Sequence, residues 1–325
     1  MKTITPSEDV LAMIHSCEGA LIFGHEDPDG DSVCSQLGLS LFLRRIGKEA
    51  FPVADLPFKR PEIERFSKDL YPYIPERLPE KTITVCLDSG AKSRLGVFAD
   101  HVNRYPSLVI DHHSDGKPYG TVRFVDPKAP SVTYMILKLI EKMGYSVEKG
   151  EAELLMFGLA TDTGFFRHLT DKTGKVFHAA AKLVNAGASP KKIYHMINGN
   201  RDLDSRLLLG HNLTSAQSHF DGKLIIAKQL AQAEKRFPKA SKDSDILYQL
   251  LQTVSGVEAV VLIKEQLDGS CVIGFRSNNS IDVGAIASSF GGGGHAKASG
   301  ATLGHPIDAV EKMVLHSFHE QFIQE

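Results

Sequence analysis

Short apolar runs alternate with helical periodicity over the first half of the chain. An apolar run at 20–25 is followed at 31–47 by apolar residues with helical spacing, which predicts a strand, a loop and a helix. Further elements of the same two kinds follow, with strands at 82–88, 107–111 and 121–126 and a helix at 131–144. Because alternating strands and helices build parallel sheets, the pattern predicts an α/β domain whose mostly parallel sheet is covered by helices on both faces.

The pattern changes in the second half of the chain. Helical segments separated by Gly and Pro fill about 149–219, and predicted strands follow at 223–230, 259–266 and 271–277. A chain of 325 residues is long enough to bury two cores. We therefore expect an N-terminal domain at 1–190, a helical linker at 191–221 and a smaller C-terminal α/β domain at 222–325.

The composition narrows the class of protein. With 42% hydrophobic and 23% charged residues, the chain has an ordinary globular composition. It has 37 Lys and Arg against 39 Asp and Glu, a net charge of −2, so it lacks the basic field typical of proteins that coat long nucleic acids. No apolar run is long enough to cross a bilayer, and the first residues do not resemble a secretory signal. These features predict a cytoplasmic protein without a membrane partner.

The loop after the first predicted strand is a candidate metal site. It places His25, Asp29 and Asp31 in an H-x-x-x-D-x-D pattern. Hard divalent cations need several oxygen ligands with few imidazoles, and this loop offers that mixture. The alternative is that the acids form the turn and cap the following helix, since Asp, Pro and Gly are common in both positions. On this motif alone the two interpretations have equal weight.

Acidic residues recur where later elements end. Asp88 closes a predicted apolar strand, and Asp162 ends an apolar helix. Another strand ends in the triplet Asp111–His113. The carboxyl ends of parallel strands meet at one edge of a sheet, so these side chains are expected to converge on one cleft. A single such acid can be a satisfied polar group, but the recurrence favours a functional site.

Five motifs resemble those of the DHH phosphoesterase superfamily, in the order the family has them. They are HEDPDGD (25–31), CLDSG (86–90), IDHH (110–113), TDTGFFR (161–167) and GGGGHAKASG (291–300). The last is similar to the glycine-rich signature of the DHH-associated domain, and the resemblance covers nearly the whole chain. It implies an N-terminal DHH domain, a C-terminal DHH-associated domain and hydrolysis of phosphate esters.

The resemblance also implies a two-metal site in which the cations share a nucleophilic water. The implied ligands are His25, Asp29 and Asp88 for one metal, and Asp31, Asp88, His112 and Asp162 for the other. Asp88 is thus the bridging carboxylate, and it is expected to act in catalysis with His112 and His113. The implied cofactor is a pair of divalent cations, with Mn²⁺ the expected metal and Mg²⁺ or Co²⁺ the alternatives.

Two members of the triplet have separate predicted roles. Asp111 is expected to orient His112 rather than to bind metal, since ligating imidazoles usually donate their second N–H to an oxygen. His113 is expected to contact the scissile phosphate or to protonate the leaving oxygen, with a packed structural histidine as the alternative. Asp27, between the proposed ligands, is predicted to be a turn residue.

The C-terminal motif predicts anion binding. Consecutive glycines at 291–294 let backbone N–H groups approach an anion, while His295 and Lys297 add donors and charge. Arg276 and Ser277 end a neighbouring predicted strand and are expected to converge on the same anion. The alternative is that the glycine run is a flexible turn. The candidate substrate-binding residues are Arg276, Ser277, Gly293, Gly294, His295 and Lys297.

Within the superfamily, the motifs are most similar to the nanoRNase group. That likeness implies hydrolysis of very short oligonucleotides, such as nanoRNA and dinucleotides, to mononucleotides, and of 3′-phosphoadenosine 5′-phosphate to AMP. The alternatives are an inorganic pyrophosphatase or exopolyphosphatase, a linear or cyclic dinucleotide phosphodiesterase, and an inactive nucleotide-binding regulatory module. The expected partner is a short single-stranded oligonucleotide or a nucleotide phosphate, and a homodimer stays open.

Overall fold

The chain folds into two compact units, Met1–Gly199 and Asn200–Glu325. The structure is a computed structural model, and it describes residues 5–114, 116–170, 173–199, 201–240 and 244–323. Within these ranges, no helix is both long and apolar enough to span a membrane. The predicted linker at 191–221 crosses the division, so that each unit contains part of it.

The first unit contains a five-stranded sheet. Its strands are β1 (Gly19–Phe23), β2 (Glu49–Val53), β3 (Thr82–Leu87), β4 (Ser107–Asp111) and β5 (Val122–Val125). Its described helices are α1 (Glu8–Ser16), α2 (Gly30–Arg45), α3 (Pro61–Glu64), α4 (Val132–Lys142), α5 (Lys149–Asp162), α6 (Gly174–Asn185) and α7 (Pro190–Asn198). Two 3-10 segments, Ser67–Asp69 and Lys92–Arg104, complete it.

All five strands run parallel, in the order β2-β1-β3-β4-β5. This confirms the predicted α/β class and the parallel sheet. The sequence pattern does not predict β2, because Pro52 lacks an N–H and argues against a central strand. β2 lies at the edge of the sheet, where a proline is tolerated.

The sheet has a buried core on each face. Ile22 and Val85 pack among residues of α2, α4 and α5, whereas Phe23 and Cys86 pack with Leu95 on the opposite face. Successive residues of a strand point to opposite faces, so each strand supplies both cores. This is why the strands read in the sequence as continuous apolar runs.

The second unit contains a six-stranded mixed sheet. Its strands are β6 (Gln217–His219), β7 (Leu224–Gln229), β8 (Ala259–Glu265), β9 (Cys271–Ser277), β10 (Gly293–His295) and β11 (Ala298–Leu303). Its described helices are α8 (Leu203–Thr214), α9 (Gln232–Arg236), α10 (Asp245–Gln252), α11 (Val283–Ser289) and α12 (Ile307–Ile323). The strand order is β10-β11-β9-β8-β7-β6, with β7 and β8 parallel and the other neighbours antiparallel. The unit is the expected smaller α/β domain.

Candidate metal centre

The carboxyl ends of β1, β3 and β4 form one edge of the parallel sheet. His25 follows β1, Asp88 follows β3, and Asp111 is the last residue of β4. Because β2 and β3 lie on opposite sides of β1, the direction of the chain across the sheet reverses there. Open α/β sheets bind ligands in the crevice at such a switch point. The predicted residues therefore meet at the position that the topology favours.

The loop between β1 and α2 lies tightly against the helix. A Cβ on Gly24 would lie 2.1 Å from the Gln36 amide and 2.3 Å from the Ser32 hydroxyl, so only glycine fits there. The backbone N–H of His25 donates to the Ser32 hydroxyl at 3.3 Å. Asp27, whose φ is 53°, pairs with Lys59 at 3.3 Å on the surface, in keeping with its prediction as a turn residue.

Asp29 fits both interpretations of the loop at once. It is the N-cap of α2, and its Oδ1 accepts the N–H groups of Asp31 at 3.0 Å and Ser32 at 3.1 Å. Since one oxygen accepts both bonds, the other is available to a cation. The same carboxylate groups with His25 and Asp88, and their ligand atoms lie within 4.8 Å of one another. A helix cap and a metal ligand are thus compatible in one side chain.

Asp88 lies at the centre of the site. Its Oδ2 is 3.6 Å from Nε2 of His25, and its Oδ1 is 3.4 Å from Nε2 of His112. The residue is 2% exposed, and its φ of 57° is a backbone conformation that non-glycine residues rarely adopt. Strained conformations of this kind cluster at functional sites. Each oxygen of Asp88 faces a different imidazole, as expected for a carboxylate between two ions.

Backbone carbonyls orient both imidazoles. Nδ1 of His25 lies 2.7 Å from the carbonyl of Glu26, and Nδ1 of His112 lies 3.2 Å from the carbonyl of Ala129. Because a carbonyl only accepts, Nδ1 carries the proton in each ring and Nε2 faces the carboxylates. This arrangement is typical of histidines that bind metal through Nε2.

The first turn of α4 holds the Asp31 carboxylate. That carboxylate accepts the backbone N–H of Val132, and both the backbone N–H and the hydroxyl of Thr133. Asp31 is fully buried, and burial, with repulsion from Asp88, raises its pKa to about 7 despite these bonds. No sequence motif includes Thr133. The available signal was the N-cap serine, Ser131, which marks a helix start able to bind a carboxylate.

Asp162 completes the site from the end of α5. Its Oδ2 lies 3.3 Å from Nε2 of His112. Burial, with repulsion from the other carboxylates, Asp31 first, raises the pKa of Asp162 to about 10. At Asp88 burial acts in the same direction, but the nearby imidazoles of His112 and His25 outweigh it and lower the pKa. Carboxylates packed in this way need added positive charge, from protons or from cations.

The predicted ligands form two sets. The ligand atoms of each set lie within 4.8 Å of one another, and the sets are His25, Asp29 and Asp88, and Asp31, His112 and Asp162. Asp88 joins the two through its contact with His112. Two ligands at about 2.1 Å from one ion lie about 3.0–3.6 Å apart, which matches the imidazole–carboxylate separations. The residues therefore fit a pair of divalent cations that accept oxygen and imidazole donors.

His113 occupies a different environment from His112. Its Nδ1 lies 2.8 Å from Oδ1 of Asp111, and its Nε2 lies 3.2 Å from Nη1 of Arg94. Asp111 also accepts the backbone N–H groups of His112 at 2.8 Å and His113 at 3.2 Å, but it does not contact the His112 ring, whose Nδ1 faces Ala129. The prediction that Asp111 orients the His112 ring is therefore wrong, because the carboxylate orients the next ring instead. Arg94 was not identified from the sequence, where no motif of known spacing includes it.

In the second unit, Arg276 and Ser277 do not converge on one point. Consecutive strand residues point to opposite faces of a sheet. The Arg276 guanidinium lies 4.5 Å from the Tyr248 ring centroid and 3.3 Å from the Asp245 carboxylate, both on α10. The buried Ser277 hydroxyl instead donates to the carbonyl of Ile281 at 2.8 Å. The two side chains thus contact different groups in this structure, and substrate binding by either one stays a prediction.

The glycine run forms a strand rather than a free loop. β10 pairs with β11, and Gly293 lies opposite Gly300. A Cβ on Gly292 would lie 2.2 Å from the Gly300 carbonyl, and one on Gly294 would lie 2.6 Å from the Cα of Ser299. Two of the glycines are therefore required by the close approach to β11. Gly293, Gly294, His295 and Lys297 are exposed, and β10 is an edge strand, which leaves room for a ligand.

Comparison with known families agrees with the fold. Residues 20–159 match the N-terminal domain of the DHH family, and residues 225–324 match the DHHA1 domain. The NrnA bifunctional oligoribonuclease and PAP phosphatase of Thermus thermophilus is 32% identical in an alignment of 318 residues that covers 96% of this chain and 93% of that protein. The chain belongs to the DHH family.

Other relatives also cover most of the chain. The bifunctional oligoribonuclease and PAP phosphatase NrnA of Bacillus subtilis is 27% identical over 91% of this chain and 92% of its own. Among solved structures, an exopolyphosphatase-related protein from Bacteroides fragilis is 22% identical and superposes with a TM-score of 0.85, over 98% of this chain and 97% of its own. That structure has the same fold.

Proposed function

We propose that the chain is a metal-dependent phosphoesterase that hydrolyses very short oligonucleotides to mononucleotides and 3′-phosphoadenosine 5′-phosphate to AMP. Two relatives carry the name bifunctional oligoribonuclease and PAP phosphatase, and the chain covers 93% and 92% of their lengths. The observation that carries the proposal is the position of Asp88, with one oxygen toward each of two imidazoles. A pair of divalent cations on such a carboxylate supports the hydrolysis of phosphate esters.

We assign the six predicted side chains as ligands of two divalent cations, with Mn²⁺ the expected metal. When bound, the cations would supply Lewis acidity toward the phosphoryl group. Groups of the chain itself orient the proposed metal ligands. The carbonyls of Glu26 and Ala129 direct the two Nε2 atoms, and α4 holds Asp31. Since these groups are backbone or buried, the ligands are in place before an ion binds.

We assign substrate binding to the second unit. Gly293, Gly294, His295 and Lys297 offer exposed donors on and after β10. Arg276 offers a guanidinium, although a substrate phosphate there has to compete with Asp245. The cytoplasmic location expected from the sequence stays a prediction, which cell fractionation tests. A homodimer stays open, and light scattering tests it.

Turnover of four compounds tests the proposed function. A dinucleotide, 3′-phosphoadenosine 5′-phosphate, pyrophosphate and a 20-residue oligonucleotide are compared with Mn²⁺ present and after chelation. We expect hydrolysis of the first two, loss of that activity on chelation, and slow turnover of the others. Preference for pyrophosphate would show that the proposed substrate class is wrong, whereas the proposed metal-dependent hydrolysis of phosphate compounds would stand. Binding of nucleotides without any turnover would favour the inactive regulatory module.

A further inference from the structure

Arg94 brings a guanidinium to the candidate metal centre, where no described residue pairs with it as an opposite charge. The side chain is half-buried, and its Nη1 lies 3.2 Å from Nε2 of His113. In the part of the chain that the structure describes, no carboxylate lies within the 4.0 Å ion-pair distance of this guanidinium. Removing a cation from water has a free-energy cost that an anion usually offsets. A neutral ring offsets little of it, so the remaining N–H groups favour an anion.

The partners of the two ring nitrogens of His113 determine which nitrogen carries the proton. A guanidinium only donates, so Nε2 of His113 must accept, and Nδ1 must carry the ring proton. That proton is donated to Oδ1 of Asp111 at 2.8 Å. A doubly protonated ring would place a second donor and a like charge against Arg94. In this arrangement His113 has no proton at Nε2 to give to a leaving oxygen.

The backbone around Arg94 is fixed relative to the proposed ligands. The Arg94 carbonyl accepts the N–H of Glu26 at 2.7 Å, and the Arg94 N–H donates to the carbonyl of Ala91 at 3.0 Å. The next residue, Leu95, is buried in the core beneath. Gly96 has a φ of 55°, and a Cβ there would lie 2.8 Å from the Glu26 carboxylate. The segment is therefore tied to the loop that carries His25.

We propose that Arg94 binds a non-bridging oxygen of the scissile phosphoryl group and that His113 is the positioning residue that holds it there. The inference rests on the proposed function. Nδ1 of His113 is also 3.6 Å from Oδ1 of Asp88, so the guanidinium lies one imidazole ring away from the central carboxylate. The planar guanidinium carries five N–H donors in a fixed fork, so it can donate to His113 and to the phosphoryl oxygen at once. Asp111, His113 and Arg94 thus form one chain of hydrogen bonds that ends at the substrate.

The choice of leaving group distinguishes this role of His113 from proton donation. A nucleoside 5′-(p-nitrophenyl phosphate) releases a phenolate that needs no proton, whereas a dinucleotide releases a hydroxyl that does. We expect Arg94→Ala to lower kcat/KM about 10²–10³-fold on both substrates, since loss of one electrostatic contact has an effect of that size. We expect His113→Ala to be impaired on both as well. A His113→Ala loss confined to the dinucleotide would make His113 the proton donor and overturn the proposal.

Conservative variants sharpen the same test. The amide oxygen of His113→Gln accepts a hydrogen bond from Arg94 but cannot transfer a proton near neutral pH. We expect His113→Gln to recover most of the activity that His113→Ala loses. Added guanidinium ion is expected to restore part of the turnover of Arg94→Ala. The control is Arg104→Ala, an exposed arginine at the far end of the same segment, for which no loss and no response to guanidinium are expected.

Binding measurements that need no turnover distinguish a failure of the Arg94 assignment from a failure of the proposed function. Inorganic phosphate is titrated into the Mn²⁺-loaded wild type and Arg94→Ala by calorimetry, and Mn²⁺ binding itself is followed by electron paramagnetic resonance. We expect weaker phosphate binding and unchanged Mn²⁺ binding in the variant. That result in a protein that hydrolyses no nucleotide would keep Arg94 as the anion ligand and refute the function. Equal phosphate affinity and equal turnover in the two proteins would refute the role of Arg94 alone.

Discussion

The candidate residues of the two units are arranged in opposite ways. In the first unit most of the predicted ligands follow β1, β3 and β4, whose carboxyl ends meet, and backbone groups orient the side chains. In the second unit Arg276 and Ser277 point to opposite faces of β9, and His295 lies exposed on an edge strand. Strand topology brings most of the first group together, and Asp162 joins it from the end of α5. The second group depends on side-chain direction, so we expect it to rearrange when a ligand binds.

The largest expected effect tests whether the first group acts as one centre. Asp88→Asn keeps the shape of the side chain and removes its charge. We expect kcat to fall by more than about 10³-fold on every substrate, beyond the effect of losing one electrostatic contact. The control is Asp100→Asn, an exposed acid of the 3-10 segment. Near wild-type rates in a folded Asp88→Asn protein would show that no bridging carboxylate is needed.

Metal loading is expected to stabilise the first unit and not the second. All six side chains proposed to bind metal belong to the first unit. A free Mn²⁺ concentration 100 times its dissociation constant should therefore stabilise that unit by about 2.7 kcal/mol. Hydrogen exchange with and without Mn²⁺ measures this. We expect slower exchange in α2 and β3 and unchanged exchange in β8. Equal protection in both units would contradict the contrast between them.

A smaller effect tests the orientation of a single ligand. Thr133→Val keeps the shape of the side chain and removes the hydroxyl that donates to Asp31 at 2.6 Å. Loss of such an orienting group usually weakens metal binding by about 10–100-fold. Calorimetric titration with Mn²⁺ measures the affinity. Thr302→Val, on an exposed position of β11, is the matched control, and identical affinities in the two variants would mean that Asp31 needs no support from α4.

The smallest expected effect belongs to the second unit. Arg276→Ala should raise KM about tenfold with little change in kcat, since a charge-assisted hydrogen bond contributes about 1.5–3 kcal/mol. Ser277→Ala should leave KM unchanged and lower the free energy of unfolding by about 1–3 kcal/mol, because its buried hydroxyl holds backbone carbonyls. Steady-state kinetics and chemical denaturation measure the two quantities. Equal increases in KM would mean that both side chains bind one ligand.

The strands and the ligand positions of the first unit were predictable for a physical reason. A strand buried on both faces reads as a continuous apolar run, and an acid after such a run has no packing role. β2 was not predictable, because Pro52 conceals an edge strand. The partner of Asp111 was not predictable either. Which of two adjacent rings meets a carboxylate depends on backbone angles that residue types do not specify.

In the second unit, the glycine-rich motif alone does not determine which role the glycines have. A glycine run is compatible with an anion-binding loop and with close approach to another strand. The contacts of Gly292 and Gly294 with β11 show that the second requirement is present here. Arg94 illustrates the reverse case, since it stands outside every motif and reaches the centre only because the backbone of its segment bonds to Glu26.

The order of the strands also has a consequence for how the protein matures. The proposed ligands lie between positions 25 and 162, and β1 pairs with β3 only after a long crossover. Such distant pairings form late, because closing long loops opposes them until the sheet is nearly complete. We therefore expect a nascent chain that ends before α5 to bind manganese poorly. Scarcity of the metal in a cell should then lower both the activity of finished molecules and the stability of their first unit.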